Sequence, residues 1–341
     1  MNVPRSALTL TRREIAALMT LEDYLAAVEE GFRRSADGDA HAPMPMHIAV
    51  PEGAFHVKGA HAVLDRSYVA VKLNGNFPGN RRRGLPTIQG VILLCDGADG
   101  SVLSVMDATE ITLRRTAAAS ALAARYLARA DVDCAAICGC GLQGRAQLMA
   151  LAEVLPLKRA LAWDLDPEKA RQFASDMRAA LDIDIIAVRE ASEAARPSGV
   201  IVTATTARSP FLTTDMVTPG AFVAAVGADS PEKSELAPEL MAAATIVVDV
   251  LAQCATMGDL HHALAAGNVA LEDVHAELAD LVVGRKSGRT RADEITVFDS
   301  TGTALQDVAS AAAIYRRAIA GNIGLSINFG ALDCAAQRSF Q

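Results

Sequence analysis

The 341-residue sequence has few aromatic residues and no excess of positive charge, and both absences restrict its function. Aromatic residues make up 4% of the chain, with one Trp, and the formal net charge is −8. A nucleic-acid surface needs basic patches and stacking rings. The composition therefore argues against a nucleic-acid partner and favours a small-molecule substrate.

The sequence also lacks long apolar runs and paired cysteines. We find no uncharged apolar run of the 18 residues that a membrane span requires, and the N-terminal MNVPRSALTL has no apolar core of a signal peptide. The six cysteines are scattered, with no CxxC pair and no zinc-ligand spacing to His. We therefore expect a cytoplasmic enzyme with buried, reduced thiols, no metal and no membrane partner.

The most informative segment is the stretch of residues 132–164. An apolar run, Cys134–Cys138, leads into the glycine-rich GCGLQG of residues 139–144, a helical stretch, and a second apolar run that ends on Asp164. The order of strand, glycine turn, helix, strand and acid is typical of a dinucleotide-binding domain.

Each residue type in this motif has a physical role in holding a dinucleotide. Gly139 permits the tight turn, Gly141 lets the backbone approach the pyrophosphate, and Gly144 lets the helix pack on the strand. The helix N-terminus offers unpaired N–H groups to the phosphates. Asp164 lies 20 residues after Gly144, where a carboxylate binds the ribose hydroxyls of NAD and repels the 2′-phosphate of NADP. We therefore predict NAD as the cofactor.

The remaining pattern predicts an α/β protein with two domains. Beyond the motif, short apolar runs alternate with helical stretches to about residue 300, which indicates a Rossmann doubly wound parallel sheet over residues 131–303. Residues 46–106 read as a meander of strands, and a helix over 108–130 leads into the motif. We assign residues 1–130, with a C-terminal helix over about 304–321 in the segment 304–341, to an α+β domain. Residues 36–41 and 74–86 are predicted loops, and residues 335–341 a frayed end.

Three positions carry candidate chemistry for hydride transfer to a charged substrate. Lys72 lies within a predicted strand, where it faces either a site or the solvent. Arg114 and Arg115 lie early in a helix; one could clamp a carboxylate, or both could be surface charges. Asp229 follows a predicted strand over 221–226, where an apolar pocket would raise its pKa, or where it could instead cap a helix.

Several segments together resemble the ornithine cyclodeaminase/μ-crystallin family. They are VKLN (71–74), GLPTIQGV (84–91), RTAAAS (115–120), GCGLQG (139–144), AVGADSPEKSEL (225–236) and TVFDSTGTALQD (296–307). The resemblance implies a homodimer in which the first domain supplies the substrate pocket and the subunit contact. It also implies that Arg115 binds the α-carboxylate, that Lys72 contacts substrate and assists proton transfer, and that Asp229 is the acid/base.

The chain departs from the family pattern on two strands. Where relatives have Pro-x-Arg, this chain has Pro45-Met-His47, so we expect His47 in the place of an arginine that helps hold the carboxylate. The next predicted strand brings His56 and Lys58, where many relatives are apolar. This His–Lys cluster either binds a second acidic group or replaces the lost arginine, although a surface position for His56 is equally open.

These observations predict an NAD(H)-dependent oxidoreductase that reduces small α-imino acids, such as the cyclic pyrroline-2-carboxylate or an open-chain imine. The alternatives are an ornithine cyclodeaminase, an alanine dehydrogenase or dicarboxylic imino-acid reductase, and a non-catalytic crystallin-like protein. The expected substrate-binding residues are His47, Lys58, Lys72 and Arg115. The expected cofactor-binding residues are Thr116, Gly139, Gly141, Leu142, Gln143, Gly144, Asp164, Thr203, Ala204, Thr205, Val226 and Ser300.

Overall fold

The computed structural model describes residues 6–328, apart from the side chain of Arg81. The predicted frayed end at 335–341 lies outside the described residues. The chain divides into two compact units, one formed by the segments up to Thr112 and from Ala304 onward, the other by Leu113–Thr303.

The first unit is an α+β unit with a mixed, eight-stranded sheet. Five of its strands form the predicted antiparallel meander, and the first strand of the chain pairs with the last of these in parallel. Its strands are β1 (Ala7–Leu10), β2 (Ala40–His41), β3 (Met46–Val50), β4 (Gly53–Val63), β5 (Ser67–Asn76), β6 (Ile88–Asp96), β7 (Val102–Asp107) and β18 (Leu325–Ile327); its helices are α1 (Arg12–Leu18), α2 (Leu21–Asp37) and α11 (Ala304–Gly321).

The two faces of this sheet differ in burial. Alternate side chains, such as Ala60, Ala70 and Ile92, are buried on the face that α11 covers. On the opposite face a row of apolar residues runs across β3 to β6, with Met46 54% and Leu73 40% exposed. An antiparallel sheet with one apolar face left exposed is a candidate interaction surface.

Two predicted loops of the first unit contain regular structure instead. Helix α2 continues to Asp37 because Gly38, at φ 83°, supplies the left-handed cap that ends it, and Ala40–His41 then pairs with β4. Strand β5 continues to Asn76, which lies opposite Ile88 of β6, and a 3₁₀ helix fills Pro78–Arg83. Both segments are polar, so their own sequences give no indication of the strands with which they pair.

The second unit is a doubly wound α/β unit, which confirms the predicted Rossmann fold class. The strands are β8 (Cys134–Cys138), β9 (Arg159–Trp163), β10 (Asp184–Ala187), β11 (Val200–Thr203), β12 (Arg208–Leu212), β13 (Phe222–Ala225), β14 (Ser234–Leu236), β15 (Thr245–Val248), β16 (Ala276–Glu277) and β17 (Thr296–Asp299). The helices are α4 (Leu142–Val154), α5 (Pro167–Ala180), α6 (Ala191–Ala195), α7 (Pro238–Ala242), α8 (Leu251–Cys254), α9 (Asp259–Ala265) and α10 (Leu278–Val282). The parallel sheet has the order β10-β9-β8-β11-β13-β17-β15-β16, and a separate pair joins β12 to β14.

Helix α3 (Ala108–Leu127) contains the division between the units, whereas the sequence pattern places the domain boundary near residue 130. The carbonyl of Leu127, at the end of this helix, accepts hydrogen bonds from Arg289 Nε at 2.7 Å and Thr296 Oγ1 at 2.9 Å. These bonds attach the helix end to β17, so most of α3 belongs to the second unit.

Within residues 6–328, none of the helices is long and apolar enough to cross a membrane. Over the same residues, no group of three or more His, Cys, Asp or Glu side chains could hold a metal ion.

Candidate active site

The glycine turn after β8 has the geometry that its sequence predicts. Gly139 adopts φ +106° and donates its N–H to the Trp163 carbonyl at 2.8 Å. A Cβ at Gly139 would lie 2.5 Å from the Ala204 carbonyl oxygen, and one at Gly144 would lie 2.1 Å from the Gly139 oxygen. Both positions therefore exclude any side chain.

Gly141 differs from these two glycines because it faces open space, with no described atom within 4 Å of an ideal Cβ. It is the N-cap of α4 and provides no side-chain cap. The N–H groups of the first turn, around Leu142 and Gln143, are thus available to an anion. The described residues fit the pyrophosphate of a dinucleotide, which needs this open side and these donors.

Asp164 lies beside the turn, immediately after β9. Its Oδ2 accepts the Cys140 N–H at 2.9 Å, and its Oδ1 accepts the Asp166 N–H at 3.0 Å. The carboxylate is thus fixed against the glycine turn while the residue stays partly exposed. A fixed negative charge at this place favours a ribose diol and disfavours a phosphate.

The ends of four neighbouring strands form the rest of this edge. Backbone hydrogen bonds connect Ala204 to Cys138 at 2.8 Å, Val226 to Thr203 at 3.0 Å, and Ser300 to Ala225 at 2.9 Å. The residues that follow β8, β11, β13 and β17 therefore lie side by side at the carboxyl edge, where open α/β sheets bind their ligands.

A buried carboxylate that the sequence analysis missed connects two of these strand ends. Glu235 of β14 accepts the N–H and the hydroxyl of Thr205, both at 2.6 Å, and the Gly227 N–H at 2.9 Å. Burial, reinforced by the charge of Asp259, raises the pKa of Glu235 to about 7. The residues just before it, Lys233 and Ser234, are polar, so no local signal in the sequence marks this acid as buried.

A second group of buried acids lies behind this edge. Asp259 accepts the N–H groups of Glu235 and Leu236, at 2.7 and 2.9 Å, and burial raises its pKa to about 6. Asp249 accepts the Gly302 N–H at 2.7 Å and the Ser300 hydroxyl at 3.2 Å. Asp259 thus fixes β14 itself, and Asp249 fixes the turn after β17.

Arg115 of α3 is buried, with 3% of its surface exposed. Its guanidinium lies close to the turn after β17, because a Cβ on Gly302 would come within 2.8 Å of Nη1. Thr116, the next residue, is also buried, whereas Arg114 is half-buried. The structure thus distinguishes the two arginines and places Arg115 in the protein interior.

Asp229 lies two residues beyond Gly227, and its surroundings differ from the expected apolar pocket. Its side chain is 53% exposed and forms an ion pair with Lys233 at 2.5 Å. The segment after Asp229 is a turn that leads into β14, so the helix-cap alternative is wrong.

In the first unit, Lys72 points to the face that α11 covers. The lysine is 3% exposed, and its Nζ lies 2.7 Å from Asp307 Oδ2 of α11 and 3.5 Å from Thr112 Oγ1. The surface alternative for Lys72 is therefore wrong. Lys58 lies directly opposite it on β4, and His47 and His56 are opposite each other on β3 and β4.

The sheet, the glycine turn and the fixed acid define an α/β dinucleotide-binding protein. The model of the ornithine cyclodeaminase/mu-crystallin family matches residues 5–322, and the chain belongs to that family. This confirms the resemblance inferred from the motifs.

Three solved structures show how closely the whole chain follows this fold. An archaeal alanine dehydrogenase dimer with bound NAD is 38% identical, with a TM-score of 0.90, and the match covers 95% of this chain and 99% of the other. The Thermococcus litoralis Delta(1)-pyrroline-2-carboxylate reductase, in complex with NADH and L-proline, is 34% identical (TM-score 0.91; coverage 94% and 100%). The iminosuccinate reductase of Paracoccus denitrificans, in complex with NAD+, is 32% identical (TM-score 0.88; coverage 95% and 99%).

Proposed function

We propose that this chain is an NAD(H)-dependent oxidoreductase that reduces small α-imino acids to amino acids. The observation that carries the proposal is the glycine turn with Asp164 fixed beside it, in a chain that also buries a lysine and an arginine. The similar enzymes named above include two imino-acid reductases and an amino-acid dehydrogenase, which act on the same C–N bond in opposite directions.

Bound NADH supplies the hydride for this reaction. Arg115 then orients the substrate, because a buried guanidinium binds a carboxylate through two parallel hydrogen bonds and loses little strength to water. Lys72 polarises or protonates the reacting group, and Asp307 holds its ammonium in position. Asp229 transfers the proton at nitrogen or water, with Lys233 as its partner in the free enzyme.

The direct test is the oxidation of NADH, followed by absorbance, with pyrroline-2-carboxylate and with pyruvate plus ammonium. Arg115→Ala should lower kcat/KM by at least about 100-fold, or ~2.7 kcal/mol of transition-state binding. Arg114→Ala is the matched control, because it removes the same charge from the adjacent, half-buried position and should stay within about twofold. An Arg115→Ala effect within twofold contradicts the carboxylate assignment.

The same preparation separates the two rival functions. Ornithine with substoichiometric NAD would give proline and ammonia without net NADH if the chain were a cyclodeaminase. A non-catalytic crystallin-like protein would bind NADH and turn over none of the imines. Either result would replace the proposal.

We further propose that the enzyme is a cytoplasmic homodimer, joined through the exposed apolar face of the first sheet. Rows of apolar side chains in register across β3 to β6, including Met46, Leu73 and Val91, support this contact. The similar archaeal enzyme is a dimer. Leu73→Lys should shift the sedimentation of the protein toward the monomer, whereas a dimer unaffected by this change would place the contact elsewhere.

A further inference from the structure

The carboxylate of Glu235 connects two loops at the carboxyl edge of the second sheet. We call residues 203–207, after β11, the cofactor loop, and residues 226–230, after β13, the acid/base loop. Oε1 of Glu235 accepts the N–H and the hydroxyl of Thr205 in the first loop, and Oε2 accepts the N–H of Gly227 in the second. Because β11 and β13 are neighbours in the sheet, one buried side chain fixes the distance between the two loops.

The fit between Glu235 and the acid/base loop leaves no space for a side chain on that loop. A Cβ on Gly227 would lie 2.3 Å from Oε1 and 2.4 Å from Oε2 of Glu235. The carboxylate therefore occupies the volume that a larger residue at position 227 would need. The loop reaches the carboxylate only because glycine stands at this position.

The strand that carries Glu235 is itself held in place. Oδ1 of Asp259, the first residue of α9, accepts the N–H groups of Glu235 and Leu236 at 2.7 and 2.9 Å. The carboxylate thus extends from a fixed backbone to both loops. Its removal would leave the N–H groups of Thr205 and Gly227 without their acceptor, which is costly in the protein interior.

Each loop leads to a different part of the proposed reaction. The cofactor loop packs against the glycine turn, because the carbonyl oxygen of Ala204 lies 2.5 Å from the position of a Cβ on Gly139. The acid/base loop carries Asp229, the proposed proton donor. Glu235 therefore links the loop beside the cofactor turn to the loop that carries the acid.

We propose that Glu235 is a positioning residue for imine reduction, which sets the acid/base loop at the distance from the cofactor loop that the reaction requires. This inference rests on the proposed function, which takes Asp229 as the acid/base. The imine carbon takes the hydride of NADH while the nitrogen takes a proton, so the reaction depends on the relative position of the two loops. A displacement of about 1 Å in such a site costs on the order of 100-fold in rate. Loss of Glu235 should therefore slow the chemical step more than it weakens cofactor binding.

The test is Glu235→Gln, which keeps the shape of the side chain. Both carboxylate oxygens accept backbone N–H groups, so either orientation of the amide turns its NH2 toward one of these donors and breaks that contact. The assay is single-turnover oxidation of bound NADH by pyrroline-2-carboxylate, or by pyruvate plus ammonium if the wild type reduces only that imine. The rate constant should fall at least tenfold, while the Kd for NADH stays within about threefold.

Two further variants accompany this measurement. Glu239→Gln, the same chemical change at an exposed position on α7, should leave the rate constant and the Kd unchanged. Gly227→Ala should reproduce the effect of Glu235→Gln, because its Cβ displaces the carboxylate from the side of the loop. A single-turnover rate constant in Glu235→Gln within twofold of the wild type would overturn the inference.

Amide hydrogen exchange of the NADH-loaded protein tests the same contact without turnover. In Glu235→Gln, peptides that cover residues 203–207 and 226–230 should exchange at least about tenfold faster, whereas peptides from β8 should keep the wild-type rate. A purely structural role would speed exchange throughout the second unit and leave the single-turnover rate constant per bound NADH unchanged, and this result contradicts the inference. If the wild type reduces none of the imines, the proposed function fails. The exchange rates then decide separately whether Glu235 holds the two loops, and unchanged rates in both loops refute it.

Discussion

The buried pair of Lys72 and Asp307 should be among the most costly interactions to break in the first unit. The two side chains are 3% and 1% exposed and their charged atoms are 2.7 Å apart. We therefore predict that Asp307→Asn, which keeps the shape of the side chain and removes its charge, strongly destabilises the folded protein.

The expected loss follows from the burial of the partner that remains. Removing one member of a buried ion pair leaves an uncompensated charge and costs about 3–5 kcal/mol. An exposed pair between the same helix and the turn after β4 provides the comparison. Arg316 and Asp65 are 45% and 47% exposed, and such pairs contribute about 0–1 kcal/mol. Asp307→Asn should therefore lose at least about 2 kcal/mol more than Arg316→Gln.

Urea unfolding followed by far-ultraviolet circular dichroism measures both variants. The double variant Lys72→Met/Asp307→Leu completes the comparison, because replacing a buried ion pair by apolar residues of similar volume is often close to neutral. Its loss should be smaller than that of Asp307→Asn alone. A loss below about 1 kcal/mol for Asp307→Asn, equal to that of Arg316→Gln, would refute the idea that Lys72 is held as a buried cation.

Three further predictions concern the second unit. The wild type should prefer NADH to NADPH by at least about tenfold in KM, or roughly 1.4 kcal/mol. Asp164→Ser should remove most of this preference. Equal KM values for the two cofactors in the wild type would contradict the role of Asp164. Gly141→Ala should leave Tm within about 1 °C, since nothing lies within 4 Å of its Cβ. The same change should weaken NADH binding at least tenfold, because the pyrophosphate must approach the open N–H donors of the first helical turn. Gly144→Ala should instead lower Tm. The pKa of Glu235 is raised from 4.5 to about 7, so the folded state holds this proton more tightly than the unfolded state. The free energy of unfolding should therefore fall by up to about 3 kcal/mol as pH rises between these values. Thermal melts of Glu235→Gln from pH 4 to pH 8 should lack this decrease, and a pH dependence of Tm identical to that of the wild type would show that Glu235 stays ionised.

Local signals predicted much of the second unit. The strand Cys134–Cys138 is predicted to the residue, because an apolar run of this length that ends at a glycine turn is long enough for a strand and too short for a helix. The dinucleotide turn was predictable for the same reason: the positive φ of Gly139 and the close approach of Gly144 each exclude a side chain, and their spacing is visible in the sequence.

The acids of the second unit were harder to predict. Asp229 was expected in an apolar pocket because it follows a buried strand, yet the turn after Gly227 carries it outward to Lys233. Glu235 stands in a polar stretch of sequence that predicts exposure, yet it is buried and accepts three hydrogen bonds from two loops. The difference arises because a strand pattern gives the position of an acid along the chain, whereas its burial depends on which loops fold over it.

The side of the sheet that Lys72 faces also could not be predicted from the local sequence. Alternation along β5 divides its residues into two sets but does not indicate which set faces the interior. One side has Ala70 and Lys72 and the other has Val71 and Leu73, so both sides are partly apolar. The choice depends on α11, whose Asp307 lies 235 positions later in the sequence and binds Lys72 directly. Once that contact is known, the register assigns Lys58 and His56 to the same side without further information. A single long-range ion pair therefore determines which side of the sheet four residues face, namely His47, His56, Lys58 and Lys72. The sequence was enough to name these residues, whereas their common face required the structure.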